Sequence, residues 1–140
     1  VIYELPSITF FAVLAHVILR RAFHRPIFSC LERRTIFTFT AALGIVLTVT
    51  TIGSPAANVY AFGFSGFAPV VLAVIAVLVA RRAPAVAVLA LVIIVAFDMH
   101  LYRSRNLFDY MIDPFVAMAS WGWCVFALWR RVSSMRRSHI

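Results

Sequence analysis

The chain has 140 residues, 64% of them hydrophobic, and a mean hydropathy of +0.98. A soluble domain is usually about 45–50% apolar, so this composition excludes one; the apolar residues also come in blocks of the length that bilayer-spanning helices use. The net charge of +8 would suit a nucleic-acid binder, but all 13 cations are arginines gathered at the ends of apolar runs. That placement excludes nucleic acid as a partner and points to membrane topology, and the absence of lysine fits the codon bias of a GC-rich bacterium.

The first apolar run covers residues 5–19, with Pro6 suited to an opening helical turn. His16 falls in its second half. The loop RRAFHRPIFSCLERR, residues 20–34, follows. Pro26 could open a short helix there that presents Ile27, Phe28 and Leu31 to a membrane interface. Arg20, Arg21, Arg25, Arg33 and Arg34 are its lipid head-group contacts, each worth about 1 kcal/mol near an anionic surface. The second run, residues 35–52, carries a small-residue stripe of Ala41, Gly44, Thr48 and Thr51, which lets another helix approach closely.

The third run, residues 59–80, opens with YAFGFSGFAP. Gly63 and Gly66 predict an irregular or tightly packed opening, and Pro69 fixes where regular helix begins or kinks it. Ala73, Ala76 and Ala80 extend a small face. The fourth run covers residues 83–97, only about 22 Å of helix, so it must continue toward Tyr102 to cross. The fifth covers residues 110–129. Trp121 and Trp123 fall near its middle, where packing in a bundle core is the expected role.

Five runs predict an all-α membrane protein, a small bundle of five transmembrane helices in a single domain. Arginines set the orientation. Eleven fall in the 20–34 loop, at Arg81 and Arg82, and at Arg130, Arg131, Arg136 and Arg137; the other side holds Arg103 and Arg105 alone. The expected topology is N-terminus outside, C-terminus cytoplasmic, multi-pass in a bacterial inner membrane. The sequence starts at Val1 with no basic residue ahead of the first run, unlike a signal peptide; either a short tail crosses unaided or upstream sequence is missing.

The stretch FDMHLYRSRNLFDYMIDPF, residues 97–115, concentrates the polar residues. Asp98, His100, Arg103, Arg105, Asp109 and Asp113 form a candidate outer-face cluster. On a continuous helix Asp98 and His100 point about 200° apart, whereas Asp109 and Asp113 would share a face and repel unless neutralised. Arg105 is the nearest partner for Asp109, and Arg103 for Asp98. The leading reading is a capped turn, with carboxylates near the dipole-positive start of the fifth helix. The alternative is a site in which a protonatable set couples to transport, or a divalent cation sits beside a lipid-linked phosphate.

Other chemistry is sparse. Cys30 and Cys124 form no metal-ligand or CxxC pattern. His16 and His100 lie at opposite depths, too far apart for one haem, and His24 and His139 read as exposed. No phosphate loop, nucleophile elbow, HExxH or dinucleotide fingerprint is present. No cofactor or metal is expected, and the catalytic residues, if any, are unknown. The expected partners are membrane lipids and other membrane subunits or further copies of the chain. The leading function is an accessory or structural subunit of a membrane assembly. The alternatives are a small oligomeric transporter or channel, and the C-terminal membrane part of a longer transferase acting on lipid-linked substrates at the outer face.

Overall fold

A computed structural model describes residues 6–53 and 59–137; the first residue of the first expected run, Leu5, and His139 lie outside the described residues. Every regular element among them is a helix: α1 (Ile8–Phe23), α2 (Cys30–Gly53), α3 (Val59–Phe62), α4 (Phe67–Val79), α5 (Pro84–Asp98), α6 (Leu107–Met111) and α7 (Pro114–Arg137). Each of the five longer helices overlaps one of the five apolar runs. One of them, over Cys30–Ile52, is long and apolar enough to cross a membrane; Phe67–Val79 and Pro84–Asp98 are shorter apolar helices.

Two antiparallel pairs make the frame. In the first, α2 packs along α7, and the register is visible in its contacts. Phe37 stacks on Trp123 at 5.5 Å, the hydroxyls of Thr40 and Ser120 meet at 2.5 Å, and Trp121 Nε1 donates to the Ala41 carbonyl at 3.0 Å. Gly44 faces Ala117, where an added Cβ would stand 3.4 Å from the Ala117 Cβ. Thus Ala41 and Gly44 of the expected stripe form the seam, while Thr48 turns its hydroxyl back to the Gly44 carbonyl at 2.7 Å. Both central tryptophans pack within this pair.

In the second pair α4 lies against α5 through Ala68, Leu72 and Ala76 on one side and Ala87, Ala90, Ile93 and Ala96 on the other, all buried. The alanines bring the two backbones close, which increases dispersion contact, and Leu72 and Ile93 fill the space between them. Helix α1 closes the bundle against α5, α6 and α7. The outward faces of α2, α4, α5 and α7 are strongly apolar, with Val49, Ile52, Val77, Leu78, Val125 and Leu128 each more than half exposed.

Several boundaries differ from the sequence expectation, each for a local reason; α5, expected to continue toward Tyr102, ends at Asp98 because His100 turns left-handed. Helix α2 begins at Cys30, ahead of residue 35, because Ser29 and Glu32 form a capping box: the Ser29 amide donates to Glu32 Oε2 at 2.8 Å and the Glu32 amide to Ser29 Oγ at 3.2 Å. Pro26 opens no helix. Instead α1 runs on through Arg20 and Arg21 and stops at His24, whose φ of 55° is left-handed. Between the ends of these helices Phe28 folds inward, 5% exposed, while Ile27 and Leu31 stay outside.

The third run breaks at residues 63–66, so Pro69 falls in the first turn of α4, where its missing N–H costs nothing. The fifth run is divided as well. A residue before proline is pushed out of helical conformation, and Asp113 precedes Pro114. Ile112 is extended, with φ −143° and ψ 140°, so α6 ends at Met111 and α7 starts afresh at Pro114. Asp109 and Asp113 therefore do not share a helix face.

Candidate functional site

One end of the bundle, the capped end, holds the starts of α1 and α7, the short helices α3 and α6, and the 99–106 loop. Ser7 caps α1, accepting from the Phe10 amide at 3.2 Å. Asp113 caps α7 through Oδ1, which accepts the Val116 amide at 2.9 Å. Its other oxygen, Oδ2, accepts the Ser7 amide at 2.8 Å and the Ser7 hydroxyl at 2.6 Å. One carboxylate so joins the first turns of two helices at opposite ends of the sequence.

Asp109, in the first turn of α6, is held by neutral donors. Tyr60 Oη reaches its oxygens at 2.8 and 3.0 Å, and the Ser104 hydroxyl donates to Oδ2. Beside it Asn106, fully buried, caps α6 by accepting the Phe108 amide at 2.9 Å and donates Nδ2 to the Tyr60 carbonyl at 2.9 Å. Gly63 lets these segments meet. Its carbonyl accepts the Leu107 amide at 2.9 Å, and a Cβ there would fall 1.9 Å from Asn106 Oδ1.

Two tyrosines complete this end. Tyr110 is fully buried and stacks on Tyr102 at 4.6 Å; its hydroxyl accepts the Tyr102 amide at 3.0 Å. Tyr102 Oη donates to the Pro6 carbonyl at 2.7 Å. Burial, followed by the neighbouring Tyr110 and Asp113, pushes the Tyr102 phenol above its usual range.

The remaining residues of the sequence cluster stand apart. Asp98 and His100 are exposed at the end of α5. His100 has a left-handed φ of 52° and terminates the helix in a Schellman pattern: its amide donates to Phe97 O at 3.0 Å and the Leu101 amide to Ala96 O at 3.1 Å. Its Nδ1 lies 2.7 Å from the Asp98 carbonyl. Arg103 and Arg105 are exposed and make no ion pair with a described carboxylate. The structure thus brings Asp109 and Asp113 into one hydrogen-bonded end and leaves Asp98, His100, Arg103 and Arg105 on its surface. Among the described residues no three His, Cys, Asp or Glu side chains could hold one metal ion.

A groove of about 480 Å³ runs between α2 and α7 to this end, walled by Leu47, Met118 and Trp121 and bordered by Tyr60, Asp109 and Asp113. Its lining is mainly apolar and includes the two carboxylate residues.

The opposite, arginine end contains a feature that the sequence expectations missed. His16 is 4% exposed and packs on the Phe28 ring at 5.3 Å. The Phe28 amide donates to His16 Nδ1 at 3.1 Å, so Nδ1 carries no proton and a neutral ring bears its hydrogen on Nε2. Nε2 is buried without a partner. The ring lines a cavity of about 430 Å³ together with Arg20, Arg21, His24 and Arg33. Among the described residues, no acidic one lines that cavity. Glu32, next to Arg33, is committed elsewhere: its Oε2 accepts the Ser29 amide and its Oε1 accepts the Ala85 amide, in the first turn of α5, at 2.7 Å. Of the five predicted head-group arginines, Arg20, Arg21 and Arg33 border the cavity; Arg25 and Arg34 are exposed away from its lining. Only a buried histidine beside an arginine-rich turn could have signalled this arrangement from sequence.

No known protein family, curated protein or solved structure matches the chain.

Proposed function

We propose that the chain is a multi-pass bacterial inner-membrane protein that serves as an accessory, structural subunit of a membrane assembly. The carrying observation is how Asp109 and Asp113 are used. Both carboxylates, the strongest candidates for chemistry at the capped end, are bound by amides and hydroxyls that tie separate segments together. Groups so engaged stabilise an end; they are poorly placed to carry protons.

Three further observations support a membrane setting. The Cys30–Ile52 span is only 22% buried, whereas a soluble core helix is covered by its neighbours. The exposed faces of α2, α4, α5 and α7 are apolar over areas that soluble monomers rarely show. The arginines collect at one end, which the positive-inside tendency places in the cytoplasm. Five crossings, with the N-terminus outside, satisfy all three. Between the two ends the described interior is packed alanine and aliphatic side chain, which disfavours a channel through one copy.

A second reading has one specific observation in its favour. The α2–α7 groove is lined by Asp109 and Asp113 together with an apolar wall, as an outer-face site for a lipid-linked substrate would require.

Native mass spectrometry after gentle extraction tests the first reading: a co-purifying subunit is expected, and a stable monomer active by itself would refute it. Topology is tested separately with an impermeant maleimide. Leu101→Cys should label in intact spheroplasts, and the native Cys30 only after permeabilisation; the reverse pattern would overturn the orientation.

A further inference from the structure

We infer that the arginine-end cavity is a binding site for a phosphate monoester, presented on a lipid or free in solution. The inference uses the membrane reading only for the lipid source. Three arginines, Arg20, Arg21 and Arg33, and two histidines, His16 and His24, line one cavity of about 430 Å³ with no described carboxylate among them. Arginine is always charged and offers paired N–H donors that match phosphate oxygens. Like charges gathered around a concave surface repel unless an anion neutralises them, and Glu32, the nearest acid in sequence, is already engaged by Ser29 and Ala85.

His16 is the second, independent observation. A buried N–H without an acceptor is costly to leave unmet; the Phe28 amide fixes the tautomer that makes Nε2 the donor. A phosphate oxygen at the base of the cavity would satisfy it. A monoester, with two charges and three terminal oxygens, answers three cations better than a singly charged diester does. The remaining lining supplies an apolar wall, Val13 and Val17 from α1 and Ile36 and Phe37 from α2, along which an acyl chain can lie.

The test is native mass spectrometry of the full chain in neutral detergent, titrated with phosphatidic acid or with phosphatidylglycerol of the same chains. Phosphatidic acid should be retained at about tenfold lower concentration than the diester. Arg20→Gln with Arg33→Gln should abolish that preference, whereas Arg25→Gln with Arg34→Gln, outside the cavity, should preserve it. His16→Phe keeps a ring against Phe28, loses the donor and should weaken retention. Equal binding of the two lipids, or equal losses in both arginine pairs, would overturn the site in favour of general surface charge. Inorganic phosphate as competitor separates the sources: displacement of phosphatidic acid assigns the site to free phosphate, and resistance assigns it to the lipid. A wild-type chain that shows no preference yet stays in the membrane after alkaline extraction would sink the site while leaving the membrane reading intact.

Discussion

Ser7 and Asp113, 106 positions apart, each cap a helix and share three hydrogen-bonding groups, the Ser7 amide and hydroxyl both ending on Asp113 Oδ2. Replacing Asp113 by alanine uncaps α7 and removes both bonds by which Ser7, the cap of α1, is held. The expected loss is about 2–4 kcal/mol, since one cap contributes about 1 kcal/mol and hydrogen bonds to a charged group about 1.5–3. Asp113→Asn keeps an acceptor for one helix and should lose less. Thermal melting in detergent measures both, and an alanine variant as stable as the wild type would mean that the clasp contributes nothing.

Gly63 and Gly66 make an internal comparison. A methyl group on Gly63 meets the buried Asn106 side chain, whereas one on Gly66 meets nothing within 4 Å. Gly63→Ala should therefore destabilise by at least about 1–3 kcal/mol through overpacking, and Gly66→Ala should change little. Similar melting temperatures for the two variants would contradict the close approach of α3 and α6.

The Tyr102 phenol yields a pH prediction. Its proton is held more tightly in the folded chain than in the unfolded one, because burial and the nearby Tyr110 and Asp113 disfavour the phenolate. Its contribution is then fully present below the unfolded value of about 10 and is lost as pH rises through the higher folded value. Tyr102→Phe should lower stability near pH 8 by about 0.5–1.5 kcal/mol, the worth of its bond to Pro6. The gap between variant and wild type should close as pH climbs above 10. A gap that widens instead would reverse the sign argued here.

His100 occupies a left-handed position that glycine adopts without strain. If its role is only to end α5, His100→Gly should be neutral or stabilise by up to about 1 kcal/mol. A loss of stability or of partner binding in that variant would point to a task for the imidazole at the capped end.

The apolar runs made the five longer helices legible, because lipid-like composition over 15–20 residues leaves few alternatives to helix. Glycine spacing also marked the close packing at Gly63. Boundaries were harder to read, although the Ser29–Glu32 capping box and the Asp113–Pro114 pair both carry local signals. The hydropathy trace joined residues across Ile112 where the backbone turns. The partners of the acids were not legible at all. Arginines 103 and 105 are nearer in sequence to Asp109 than Tyr60 is, but Tyr60 arrives through the α3–α6 contact, which no periodicity encodes. His16 was hidden for the same reason: its partner is the Phe28 amide, supplied by an irregular segment.

The Ser7–Asp113 clasp also sets an order of events during synthesis. Chains grow at about 5–20 residues per second, so the first helix waits roughly 5–20 s for the aspartate that fastens it. Until then its leading turn is an open latch, and α4 and α5, adjacent in sequence, can pair first. Helix α7, the later of the two to emerge, is the one that locks α1, so a truncation that removes α7 is a fault felt at α1 as well.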